Sequence, residues 1–221
     1  MIEFQEIEAA KHIVIQSSAA NFPQASVLYS YLLTQHKKVS LFLEDTSPLY
    51  AFLPWYEKAR NIKPKHTDML LCTDMDIFEL FDFLKKSEIK INAKMATAFY
   101  AGLMQQYDFC RSLECDGTLF AALAELIALG ADHRLCMKEM VQKEPLSYFR
   151  LRAKAYEKLL LKENASLAYI ALCDEDFEQS GAAWEDMYGI AKEVSHLVHV
   201  KKVIIIKDDE KDKIIKISKE V

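Results

Sequence analysis

Glycine and proline are scarce, five of each in 221 residues. Turns draw heavily on both residue types, so a chain this poor in them is expected to be rich in helix. Neither G-x-x-x-x-G-K nor G-x-G-x-x-G occurs, which excludes the two glycine-rich phosphate loops. No G-x-S-x-G elbow is present, and Ser17 and Ser18 have no nearby base, which sets aside a serine nucleophile. No apolar run approaches the roughly 18 residues of a bilayer-spanning helix, so no membrane contact is expected. Cations are outnumbered, 28 Lys and Arg against 33 Asp and Glu, for a net charge of −5. A broad nucleic-acid surface wants clustered cations, so only a small local basic pocket stays open. The start, MIEFQEIEAAKH, has acids where a secretory leader carries bases. The five cysteines, at 72, 110, 115, 136 and 173, are odd in number and scattered, as in a reducing, cytoplasmic protein. Cys110 and Cys115 lie close in sequence, but no second Cys/His pair completes a zinc spacing.

Half of the residues are hydrophobic, 51%, enough for a real core. The chain is organised around Lys11 to Gln24, KHIVIQSSAANFPQ. Ile13-Val14-Ile15 has the branching of a buried strand, and Ala25, Val27, Leu28, Tyr31 and Leu32 belong to a following helix. In a parallel α/β sheet, ligands bind where such a strand ends. Yet the loop between, Ser17 to Asn21, has no acid, histidine, cysteine or glycine.

The remaining pattern predicts a helix over 2–10, strands at 12–16, 38–43 and 68–73, and helices at 24–36 and 77–86. Helical turns are expected at 49–53 and 55–60, and a short strand at 87–91. Helices at 93–107 and 117–129 follow, the second stopped by Gly130; Asp132 caps another. After Pro145, Ser147 is expected to cap a helix over 148–161. Strands at 165–173, 198–207 and 213–218, a helix at 184–194 and a charged turn at 208–212 complete a second small α/β unit. The expected fold is α/β: a parallel sheet flanked by helices, with a second, smaller α/β domain. Its domains are 1–146, a connecting helix 147–162, and 163–221.

The order of several fragments resembles the DHH phosphoesterase family, in its short-RNA exonuclease and phosphoadenosine-phosphate phosphatase branch. IVIQSSAANFPQA is similar to a strand followed by H-x-x-x-D-x-D-A, and DMLLCTD to a strand bounded by two aspartates. MATAFYAGLMQQYDF resembles A-x-x-L-Y-x-G-I-x-x-D-T-G-x-F, and AELIALGAD a helix ending in Gly-Ala-Asp. LAYIALCDEDFEQSGAAWEDMYGIAKEV and VIIIK with KIIKIS resemble the DHH-associated second domain. The resemblance implies hydrolysis by two Mn²⁺ or Mg²⁺ ions held by Asp and His, hard donors that suit such ions.

The departures weigh against that chemistry. The motif's His falls on Ser18, its two Asp on Phe22 and Gln24, and a later Asp on Gln106. The Asp-His-His triplet is absent, and the family's Gly-Gly-Gly-His segment beyond KIIKIS is not part of this sequence. Asp74 alone matches a ligand position; it reads as a vestigial metal ligand or, with Asp76, as a helix cap. Asp108 reads as a shifted metal ligand or a solvated helix-end residue. His66, near Lys63 and Lys65, suits a phosphate or a surface loop; His12 reads as structural, His133 as exposed, and His196 with His199 as an i, i+3 pair that alone is a weak metal signal. The expectation is a non-catalytic DHH-like protein with a binding, regulatory or scaffold role. It would be a homodimer by family analogy, with an unidentified protein partner and no cofactor. The alternative is a weak or altered Mn- or Mg-dependent phosphoesterase, rebuilt on Asp74, Asp76, Asp108 and His66, acting on short RNA or a nucleotide.

Overall fold

The computed structural model describes residues 4–45, 48–208 and 210–218. The chain divides into two compact units, Met1–Lys143 and Glu144–Val221.

The first unit is built on β1 (His12–Ser17), β2 (Lys38–Leu43), β3 (Ala59–Arg60) and β4 (Met69–Cys72). These pair in the order β3-β2-β1-β4, all parallel. Ile13, Val14 and Ile15 of β1 are fully buried, as a central strand covered on both faces requires. Among the described residues six α-helices belong to this unit: α1 (Phe4–Ala9), α2 (Phe22–Thr34), α3 (Ile77–Lys86), α4 (Ala93–Gln106), α5 (Gly117–Ala128) and α6 (His133–Met140). The helix expected at 24–36 starts two residues earlier, with Pro23 in its first turn, where a missing N–H costs nothing. Both α2 and α4 are buried almost all round, from Phe22 to Leu32 and from Met95 to Met104. Phe81 of α3 and Phe99 of α4 meet edge to face at 5.2 Å. Trp55, in the left-handed region at φ 72°, donates its indole N–H to Ser30 Oγ at 2.8 Å. Lys94 Nζ sits 4.2 Å from its ring centroid.

The strand expected at 87–91 does not form. Instead α3 ends in a Schellman turn: Ile89 N–H donates to the Leu84 carbonyl and Glu88 N–H to that of Lys85. Glu88 takes the left-handed position at φ 55°, which consumes the backbone that a strand would need. The same bond pattern ends α5, with Gly130 in that position at φ 95°.

The second unit contains α7 (Leu146–Glu157), β5 (Leu160–Lys162), β6 (Leu167–Leu172), α8 (Asp174–Ser180), α9 (Met187–Ser195), β7 (Lys202–Lys207) and β8 (Glu210–Ser218). The sheet order is β5-β6-β7-β8, and only β6 and β7 run parallel. Its core joins Leu151 of α7, Ile170 and Leu172 of β6, Met187 and Ile190 of α9, and Val203 and Ile205 of β7. Trp184 lies against Phe177 at 6.0 Å. Three expectations fail here. Ser147 lies inside α7 and caps nothing; Pro145 precedes the first turn. The tail of the expected helix 148–161 breaks at 157, because Leu160–Lys162 pairs with β6 as an edge strand. Residues 174–180, given no element, form α8. Part of the expected turn at 208–212 lies outside the described residues.

The fold is thus α/β, a helix-flanked parallel sheet with a second, smaller α/β unit. Among the described residues no helix is long and apolar enough to cross a membrane.

Candidate functional site

The carboxyl edge of the first sheet is where β1 and β4 deliver their loops. Thr73 Oγ1 donates to Ser17 Oγ at 2.7 Å, and Ser17 Oγ donates to the Ser18 carbonyl at 2.8 Å. Ser18 Oγ accepts from Asn21 N–H at 3.3 Å, and Asp45 accepts from Ala19 N–H at 2.5 Å. Gln16 donates to Glu44 at 2.5 Å and accepts from Lys63 Nζ at 2.7 Å. Asp45 thus pins the loop and Glu44 the end of β1, two acids beyond β2 to which the sequence attached no role.

Phe22 is fully buried and packs edge to face on Tyr56 at 5.1 Å. Gln24 Nε2 donates to the Met75 carbonyl at 3.1 Å. Gln106 Nε2 donates to Asp76 Oδ2 at 2.7 Å, and Asp76 Oδ1 accepts from Phe78 and Glu79 N–H at 2.8 and 3.0 Å. Asp76 is therefore the cap of α3. Asp74 is exposed and forms no hydrogen bond or ion pair with the described residues. Asp108 opens a left-handed turn, Asp108–Cys110, at φ 49°, 55° and 63°, and pairs with Arg111 at 3.1 Å. His66 is exposed. His12 bonds Ser40 Oγ and His133 bonds Tyr100 OH, at 2.8 and 2.7 Å.

These residues do not fit a two-metal centre. A hydroxyl turned to its own loop, a buried ring and two neutral amides with their nitrogens engaged stand where the resemblance implies ligands. Divalent pairs of this kind need carboxylate and imidazole donors. Among the described residues no three His, Cys, Asp or Glu side chains group so as to hold an ion.

A pocket of about 230 Å³ opens beside these amides. Its polar lining is Asn21, Gln24, Tyr50, Gln105 and Gln106, with Pro23 and Ile77 among the apolar walls; among the described residues no charged side chain or histidine lines it. Tyr50 is 2% exposed and Gln24 8%. The Tyr50 hydroxyl and Gln24 Oε1 have no partner among the described residues, yet neither atom is sealed from solvent. Burial pushes the Tyr50 phenol up, so it stays a neutral donor. Asn21 precedes α2 without using its side chain as a cap. Sequence reading missed this pocket because its lining comes from four distant segments. A wider groove of about 480 Å³ beside Trp55 is mostly apolar.

The strand ends of the second unit are furnished differently. Asp176 accepts from Cys173 N–H at 2.9 Å, Cys173 Sγ at 3.3 Å and Lys158 Nζ at 2.5 Å. Lys154 Nζ lies 3.7 Å from Asp176, and Lys207 pairs with Asp174 at 2.5 Å. Burial pushes the Asp176 carboxyl up, but the bonds from Lys158 and Cys173 outweigh it and hold it below its ordinary value.

No protein-family model matches the chain, and no curated protein matches it. Among solved structures it is similar to an exopolyphosphatase-related protein from Bacteroides fragilis. The TM-score is 0.79 at 12% identity, over 96% of this chain and 79% of that one. At such low identity the likeness shows a shared fold. A Methanococcus jannaschii protein described as a family II inorganic pyrophosphatase aligns at TM-score 0.30 and 8% identity, over 78% of this chain and 58% of that one, too weakly to carry an argument.

Proposed function

We propose that this chain is a DHH-phosphoesterase-like protein that binds a ligand or partner and does not hydrolyse phosphoesters. The observation that supports the reading is the fate of the ligand positions named by the resemblance. Phe22 is part of the core, and the Gln24 and Gln106 amides bond the Met75–Asp76 turn. A carboxamide brings no negative charge to offset the desolvation of a divalent ion, and Asp74 alone cannot hold a pair. Without bound ions the two-metal route has neither an activated water nor a phosphate clamp.

The test is release of mononucleotides from short RNA, or of phosphate from phosphoadenosine phosphate, in Mn²⁺ or Mg²⁺. The expected outcome is no release above the blank, and identical traces for the wild type and Asp74→Ala. Metal-dependent release that disappears in Asp74→Ala would overturn the reading in favour of a rebuilt phosphoesterase. A homodimer and a separate protein partner belong to the same proposal; light scattering and pull-down address them.

A further inference from the structure

We propose that the pocket beside α2 and α4 binds an uncharged heterocycle with an amide or amino-imine edge, about the size of nicotinamide or uracil. The inference rests on the binding reading above and names the ligand class. Three features of the pocket carry it. First, Tyr50 and Gln24, residues more than nine-tenths buried, line it, and the Tyr50 hydroxyl and Gln24 Oε1 bond no described residue while staying open to solvent. A ligand that pairs both replaces their bonds to water with fixed hydrogen bonds, a modest net gain for each. Secondly, the Asn21 and Gln105 carboxamides line it without hydrogen bonds to the described residues. A carboxamide presents a donor and an acceptor side by side, the match for a ring edge that does the same. Thirdly, no described lining residue is charged, and Pro23 and Ile77 offer apolar contact to a ring face. An anion would enter without a counter-charge, and desolvating it would be costly. The volume, about 230 Å³, is below the roughly 300–1,000 Å³ of pockets for drug-sized ligands, which limits the ring to a small one.

The test is titration of the isotope-labelled protein with nicotinamide, uracil and adenine, read by NMR at the side-chain amides of Asn21, Gln24 and Gln105. Inorganic phosphate and glucose serve as comparators for an anion and a polyol. The expected result is saturable shifts of these amides with at least one heterocycle and none with either comparator. Tyr50→Phe keeps the ring packing and should weaken binding about threefold to tenfold, the scale of one uncharged hydrogen bond. Gln105→Ala, at an exposed position, should weaken it similarly without moving the melting temperature. Silent amides with all three heterocycles, shifts with phosphate or glucose, or unchanged affinity in both variants would overturn the inference. Silent amides without hydrolysis of RNA sink this inference alone; hydrolysis in the same preparation sinks the binding reading as well.

Discussion

Each unit ends a pair of parallel strands in loops that feed helices, and the two ends are opposite in character. In the second unit β6 and β7 end among Asp174, Asp176, Lys154, Lys158 and Lys207, the sort of charged cluster that draws attention as a site. Those charges are spent on one another and on Cys173. In the first unit β1 and β4 end among hydroxyls and amides alongside Glu44, Asp45, Asp74 and Asp76, and the pocket there has no charged lining among the described residues. There the Tyr50 hydroxyl and Gln24 Oε1 remain without a described partner. The proposed pocket thus rests on unused hydrogen-bonding capacity, and the charged cluster of the second unit offers a ligand none.

The sharpest way to break this contrast is Phe22→Asp. If the first unit's end is held by its core, a carboxylate at this fully buried position should cost about 3–5 kcal/mol or more, read as the denaturation midpoint. A near-native midpoint would show that the position can open to water and, with it, to metal. Next comes Asp176→Asn, which removes the charge holding Lys158; a loss of about 1–3 kcal/mol at neutral pH is expected. The pH dependence has a definite sign. The folded carboxyl titrates below its ordinary 3.8, so its contribution is fully present above pH 3.8 and is lost as pH falls through the folded value. The stabilities of wild type and Asp176→Asn should converge in that acid range. Smaller is Asp76→Ala, about 1 kcal/mol for a lost helix cap, with release of the Gln106 amide seen by NMR. Smallest is Asp74→Ala: an exposed carboxylate without a described partner should leave the midpoint unchanged.

Elements with a strong local pattern were legible in the sequence. The runs at β1 and β2 and the amphipathic spacing of α3 lie where residue order puts them, because burial there follows from branching and period. Elements made by tertiary pairing were not. Leu160–Lys162 continues a helical pattern by composition and becomes a strand because β6 offers it an edge. The acidic stretch Asp174–Ser180 has no broad apolar face, and its first turn depends on Asp176 reaching back to Cys173 N–H. Gly130 announced a left-handed helix end; Glu88 takes the same conformation with nothing in its type to suggest it. At the candidate site the missing acids at 18, 22 and 24 could be read directly. Where the replacing amides point could not, since Gln24 and Gln106 find their partners on a turn some fifty and thirty residues away.

The two tryptophans, Trp55 and Trp184, fall one in each unit. The first indole is hydrogen-bonded to Ser30 with an ammonium above it, and the second rests against Phe177. The molecule therefore has a built-in fluorophore for each half, in unlike surroundings. Trp55→Phe would leave emission that reports only the second half, and Trp184→Phe only the first. Coincident melting curves from the two variants would describe a single cooperative transition, and separated curves two independent ones.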